Sequence, residues 1–95
     1  MLVPPIQIIY LQVQNDIKRT KLFEPVSFEY IRRLFVQRYN LNIHGIDETD
    51  EDSFPKIYIL DNQSQVSYEL EDLEDISESS ILKLHAGSYK MKIKI

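Results

Sequence analysis

The hydrophobic pattern begins with Ile6-Gln7-Ile8-Ile9-Tyr10-Leu11-Gln12-Val13, a β-branched and aromatic run ending at the turn-forming Gln14-Asn15-Asp16. It is too short for a typical helix and reads as a strand. Ile17 to Phe23 then alternates, with Thr20 and Leu22 on one face and Arg19 and Lys21 on the other, which predicts a hairpin whose basic residues point to solvent. Pro25 ends that strand. Ser27 supplies an N-cap hydroxyl ahead of Phe28, Ile31, Leu34 and Phe35, spaced by three and four. An amphipathic helix over about 28–39 follows. It lays Phe28, Ile31 and Phe35 on a sheet and keeps Glu29, Arg32, Arg33 and Gln37 on its opposite face.

Between Asn40 and Pro55 the chain is turn-prone and acidic, and Ile46 to Ser53 is too charged to pack in a core. This stretch is expected to be an exposed loop. Strands resume at Lys56 to Leu60, turn at Asp61 to Ser64 and return at Gln65 to Leu70, a second hairpin in which alternation places Tyr68 and Leu70 inward and Glu69 and Glu71 outward. An acidic connection from Glu71 to Ser79 leads to a core strand at Ile81 to His85. After Gly87-Ser88, Lys90, Lys92 and Lys94 alternate with Met91, Ile93 and Ile95. That tail has the pattern of a strand with one apolar and one basic face, expected to add to a sheet edge of its own domain or of a neighbouring copy. The order is ββαβββ with an optional extra strand, and the inward set includes Leu11, Phe28, Ile31, Phe35, Ile59 and Leu82.

Composition sharpens this picture in one respect: 95 residues cannot divide their surface between two cores, so residues 1–86 are read as one domain and 87–95 as an appended tail. With 43% hydrophobic and 27% charged residues the chain is expected to fold on its own. It has no cysteine, no signal-peptide pattern at Met1-Leu2-Val3-Pro4-Pro5 and no apolar run approaching the ~20 residues that span a bilayer. A small secreted domain would ordinarily use disulfides, so a cytoplasmic setting is expected.

Charge is distributed unevenly. The net value is only -4, yet Lys18, Arg19, Lys21, Arg32, Arg33 and Arg38 make residues 1–40 basic, whereas Lys56 is the lone cation of residues 41–80 against twelve carboxylates from Asp47 to Glu78. Opposed patches of this kind steer partners of either sign, or a second copy of the domain.

The patterns of enzymatic sites are missing. Gly45 and Gly87 stand alone, so there is no phosphate loop. His44 and His85 have no cysteine partner and no acidic residues at metal-ligand or catalytic spacing, and read as ordinary histidines. Asp47 to Asp52 carries the charge of a cation site but lacks the central glycine of a calcium loop; a solvated loop is the reading, with weak ion binding or phosphorylation of Thr49 or Ser53 as its alternatives. An isoelectric point near 5.1 argues against nucleic acid. No cofactor and no catalysis are expected.

The element order, with a helix crossing a sheet between two hairpins, resembles ubiquitin-like β-grasp rolls, an α+β class with a mixed sheet of four to five strands and one helix packed across it. A closer resemblance lies in Tyr10-Leu11-Gln12, in Ile17-Lys18-Arg19-Thr20, in Tyr68-Glu69-Leu70-Glu71-Asp72-Leu73-Glu74-Asp75-Ile76, and in Ser80-Ile81-Leu82-Lys83-Leu84. Over about 6–85 these look like the actin-interacting protein 3 family, whose members include a fungal bud-site-selection protein that is a formin cofactor and polarity factor, and an animal inhibitor of Src-kinase signalling. The acidic run Asp47 to Asp52 and the tail from Gly87 stand outside the pattern. Chains that resemble this family in one segment are expected to be parts of longer, coiled-coil-rich scaffolds whose actin and formin contacts lie elsewhere. A terminal diglycine for conjugation is absent, since the last strand runs into His85-Ala86-Gly87-Ser88.

These readings imply a non-catalytic protein-interaction domain of a polarity and actin-cytoskeleton scaffold, cytoplasmic and at the cytoskeleton or cell cortex. The candidate partner-binding residues are Lys18, Arg19, Lys21, Arg32, Arg33, Glu69, Glu71, Asp72, Glu74 and Asp75. Cytoskeletal or polarity proteins are the expected partners. The alternative is self-association by head-to-tail contact or strand exchange, which includes a homodimer.

Overall fold

The computed structural model describes residues 6–61 and 63–85. β1 (Gln7–Val13) and β2 (Asp16–Leu22) form the first hairpin, in an antiparallel register that sets Ile9 opposite Thr20 and Leu11 opposite Lys18. α1 (Phe28–Tyr39) starts where the sequence predicts, because the Ser27 side-chain oxygen accepts the Tyr30 amide at 3.1 Å and satisfies one of the free donors of the first turn. It ends at Asn40, whose left-handed backbone (φ 54°) turns its amide onto the Val36 carbonyl. β3 (Ile57–Leu60) and β4 (Ser67–Glu69) make the second hairpin, and β5 (Ile81–Leu84) closes the sheet.

The five strands lie in the order β2-β1-β5-β3-β4, with β5 parallel to β1 and antiparallel to β3. Thus the first and last strands meet at the centre and the two hairpins flank them. This is an α+β arrangement with one helix packed across a mixed sheet, as in a ubiquitin-like grasp. The helix buries Ile31 and Phe35 against Ile9, Leu11, Val13, Leu22, Ile57, Ile59, Leu82 and Leu84 in a single cluster. Each of these larger side chains is worth roughly 1.5–3 kcal/mol when fully withdrawn from water. Phe28 is half-buried at the margin of that cluster, and the other five core positions named from the sequence are buried.

The structure departs from the pattern in particulars. Two 3₁₀ turns, Leu41–His44 and Leu73–Asp75, occupy stretches read as loop, and they seat Leu41 in the core and Leu73 against it. β4 is three residues long rather than six. Tyr68 is 42% exposed instead of packed, because it sits on an edge strand that has a sheet neighbour on one side only. Its hydroxyl is pushed above the ordinary tyrosine range by desolvation and then by the carboxylates of Asp75 and Asp61. Glu69, read as exposed, is half-buried and lies 3.8 Å from the Lys56 ammonium. Arg32 is half-buried too, since its Nε donates to the Glu48 carbonyl at 2.7 Å and draws the acidic loop onto the helix. The predicted strand over 89–95 falls outside the described residues.

Candidate interaction surface

Strand alternation sorts the basic residues of β2. Thr20 and Leu22 enter the core, so Arg19 and Lys21 project from the opposite face of the sheet, where Arg19 stands opposite Tyr10 and Lys21 opposite Ile8. The pairing continues laterally. Tyr10 lies beside Ile81, and a longer row runs Ile17, Gln12, Lys83, Tyr58, Glu69 from one edge of the sheet to the other. This face, turned away from α1, therefore carries the cations Arg19, Lys21 and Lys83 among half-buried apolar and aromatic side chains, with Glu69 at its far end. Ile17 on the same face is 52% exposed.

Lys18 belongs to the helix side. Its ammonium lies 3.4 Å from Asp16 and 5.4 Å from the centre of the Tyr39 ring, so part of its charge is already engaged. It shares a cleft with Val13, Asp16, Arg38, Tyr39 and Asn40 at the turn of the first hairpin. Arg38 was not among the candidates read from the sequence, yet its Nη2 donates to the Arg19 carbonyl at 3.3 Å and places a further cation at the β2 edge. Only its position in the last helical turn hinted at this, and that position is equally explained by the helix dipole.

The remaining candidates lie elsewhere. Arg33 is 3.7 Å from Glu29 and 4.0 Å from Glu48, and Arg32 holds the Glu48 carbonyl, so both serve the helix and the acidic loop rather than the β2 edge. Glu71, Asp72, Glu74 and Asp75 are exposed around the Leu73–Asp75 turn that follows β4; Asp75 lies near Tyr68, while Leu73 and Glu74 line a cleft with Ile6, Gln7 and Leu22 of the first hairpin. Asp72 has a structural duty there, accepting the Glu74 amide at 2.9 Å. The ten candidates thus form a basic edge, an acidic stretch and a helix-to-loop tether.

No group of three or more His, Asp or Glu side chains converges on a metal-sized site among the described residues. Within the acidic loop the Asp47 carboxylate accepts both the amide and the hydroxyl of Thr49 at 2.8 Å, which holds its pKa below the usual carboxylate range. The His85 ring is 5.1 Å from that of Tyr58, tilted against it. No helix among the described residues is long and apolar enough to cross a membrane.

No curated protein and no solved structure matches the chain. A family model does, that of actin interacting protein 3, over residues 10–95, which includes every strand but the start of β1, the whole helix and both charged stretches. A match of that extent means that the chain belongs to the actin interacting protein 3 family.

Proposed function

We propose that this chain is a non-catalytic protein-interaction domain of an actin-cytoskeleton and cell-polarity scaffold, of the kind that works as a formin cofactor by positioning partners at the cell cortex. The observation that carries the reading is the family match over residues 10–95, because it ties an actin-related interaction role to nearly the whole described fold. The surface is consistent with it. The sheet face opposite the helix combines cations with apolar and aromatic side chains, and such a mixture suits protein recognition better than solvation alone.

Recruitment tests the proposal. A fluorescent fusion of the chain, expressed in a polarised cell, should concentrate at actin-rich cortical sites, and Arg19→Glu with Lys21→Glu should disperse it while leaving the melting temperature unchanged. A diffuse signal for the unaltered chain would sink the scaffold reading, as would cortical enrichment indifferent to both substitutions.

A further inference from the structure

We infer that the open edge of β2 is a docking site for an acidic extended segment of another protein, which adds to the sheet as a sixth strand beside Ile17, Arg19 and Lys21. The inference rests on the reading of the chain as a protein-interaction domain and names the partner's chemistry.

The backbone comes first. On β1, the Ile8 amide donates to Glu78 Oε1 at 2.7 Å, the Ile8 carbonyl accepts the Ser79 amide at 2.8 Å, and the Tyr10 amide donates to the Ser80 carbonyl at 2.8 Å. The polar groups of Ile8 and Tyr10 are therefore spent on the β5 side, and those of Ile9 and Leu11 turn to β2. In the antiparallel register, Thr20 and Lys18 answer them, so Ile17, Arg19 and Lys21 direct their amides and carbonyls outward from the sheet. The Tyr30 hydroxyl accepts the Phe23 amide at 3.0 Å and closes one end of this window, while Arg38 sits inside it on the Arg19 carbonyl, an acceptor that an incoming strand takes over by displacing one exposed 3.3 Å bond. Elsewhere the edge presents the donors and acceptors of a ladder that lacks its next strand among the described residues.

Charge then selects the occupant. An added strand would place alternate side chains beside Arg19 and Lys21 on the outer face, and its other set beside Lys18 and the Arg38 cleft. Neither Arg19 nor Lys21 has an ion pair among the described residues, so both are available to carboxylates, and every cation named here disfavours a basic strand.

A second copy of this chain fits poorly. Its acidic edge strand, β4, spans three residues, and the Leu70 amide bonded to the Ile57 carbonyl at 2.8 Å fixes the alternation so that only Ser67 and Glu69 face outward. Its other acidic clusters sit on the Leu73–Asp75 turn and on the loop from Asp47 to Asp52, and neither is a strand with a ladder to offer. Pairing β2 antiparallel with the β2 of a second copy about Arg19 would set Arg19 against Arg19, with Lys21 diagonal to it, and like charges across a strand pair destabilise it. A partner protein with an acidic extended segment therefore fits this edge better than the described strands of a second copy do.

The experiment uses the whole chain, isotopically labelled, with three short acetylated peptides as probes: one alternating Glu and Val, one alternating Lys and Val, and the Glu–Val peptide N-methylated at every second residue so that one of its edges cannot donate. At low salt (about 50 mM), the Glu–Val peptide should bind saturably, move the amide resonances of Ile17, Arg19 and Lys21 most, and slow their hydrogen exchange. The Lys–Val peptide should not bind. Arg19→Glu with Lys21→Glu should weaken binding about tenfold, through loss of two cross-strand charge pairs, and N-methylation on the ladder edge should abolish it. Equal binding of the methylated peptide, indifference to the double substitution, or largest shifts at Ser67 and Glu69 would each overturn the inference. Cortical recruitment that fails while peptide binding survives would overturn the scaffold reading and spare the edge; recruitment without peptide binding would do the reverse.

Discussion

The hydroxyl of Tyr39 lies 2.8 Å from the main-chain carbonyl of Leu11, and also 2.8 Å from that of Asp16, so one proton serves two acceptors and ties the last turn of α1 to both strands of the first hairpin. Tyr39→Phe keeps the ring, which stacks on Phe35 with centroids 6.4 Å apart, and removes only the tie. The expected loss is about 0.5–1.5 kcal/mol, the usual net worth of an intramolecular hydrogen bond. A urea titration of the two proteins measures it, and superimposable curves would show that the hydroxyl is idle.

The same hydroxyl makes stability depend on alkaline pH. Burial, and after it the charge of Asp16, push its pKa up from the ordinary 10.0 to about 12. A proton held more tightly in the folded than in the unfolded chain stabilises fully below pH 10, and that contribution is lost as the pH climbs toward 12. Between those values the wild-type chain should lose stability faster than Tyr39→Phe. Parallel pH profiles of the midpoint for the two proteins would refute the assignment.

Phe35 is fully buried at the centre of the helix-to-sheet contact. Phe35→Ala should cost about 3–5 kcal/mol from lost burial and the cavity left behind, a large share of the whole stability of a domain of this size. A melting temperature within a couple of degrees of wild type would contradict the packing of α1.

The loop from Asp47 to Ser53 is charged yet anchored, through the Arg32 contact to Glu48 and through Phe54, which is buried at its far end. Arg32→Met retains the aliphatic stem and deletes the donor. Amide exchange across 47–53 should accelerate while the global stability falls by about 0.5–1.5 kcal/mol. Unaltered exchange in the loop would mean that Phe54 and the Arg33 contact to Glu48 hold it without Arg32.

Local signals account for what the sequence revealed. Ser27 and the three- and four-residue spacing of Phe28, Ile31 and Phe35 specify α1 without help from distant residues, and the alternation of Arg19, Thr20, Lys21 and Leu22 sorts β2 by face. The meeting of β1 with β5, in which Tyr10 pairs with Ile81, joins residues far apart in the chain, and no local pattern encodes it; the likeness in element order implied a mixed sheet without naming that pair. Alternation also misplaced Tyr68, because period two says which side of a sheet a residue faces and not whether anything lies above it. The basic edge was half legible: Arg19 and Lys21 follow from strand parity, whereas Arg38 reaches β2 only once the helix is docked, and that docking also separates Arg32 and Arg33 from it.

The acidic stretch after β4 mixes two roles that substitution can separate. Asp72 caps the Leu73–Asp75 turn through the Glu74 amide, and that turn delivers Leu73 and the buried Ile76 to the core, so Asp72 acts on stability. Glu71 and Glu74 have exposed side chains with no ion pair among the described residues. Asp72→Lys should therefore cost about 1 kcal/mol, the usual worth of a lost side-chain cap, whereas Glu71→Lys with Glu74→Lys should change stability by no more than about 0.5 kcal/mol, the range of ordinary surface substitutions. Denaturant titrations of the two variants measure the difference, and equal losses would remove the cap from Asp72. The charge-reversed pair then gives a clean functional reading, since its fold is intact. Loss of cortical recruitment in that pair would make the acidic stretch a second partner surface, and full recruitment would remove Glu71 and Glu74 from partner binding.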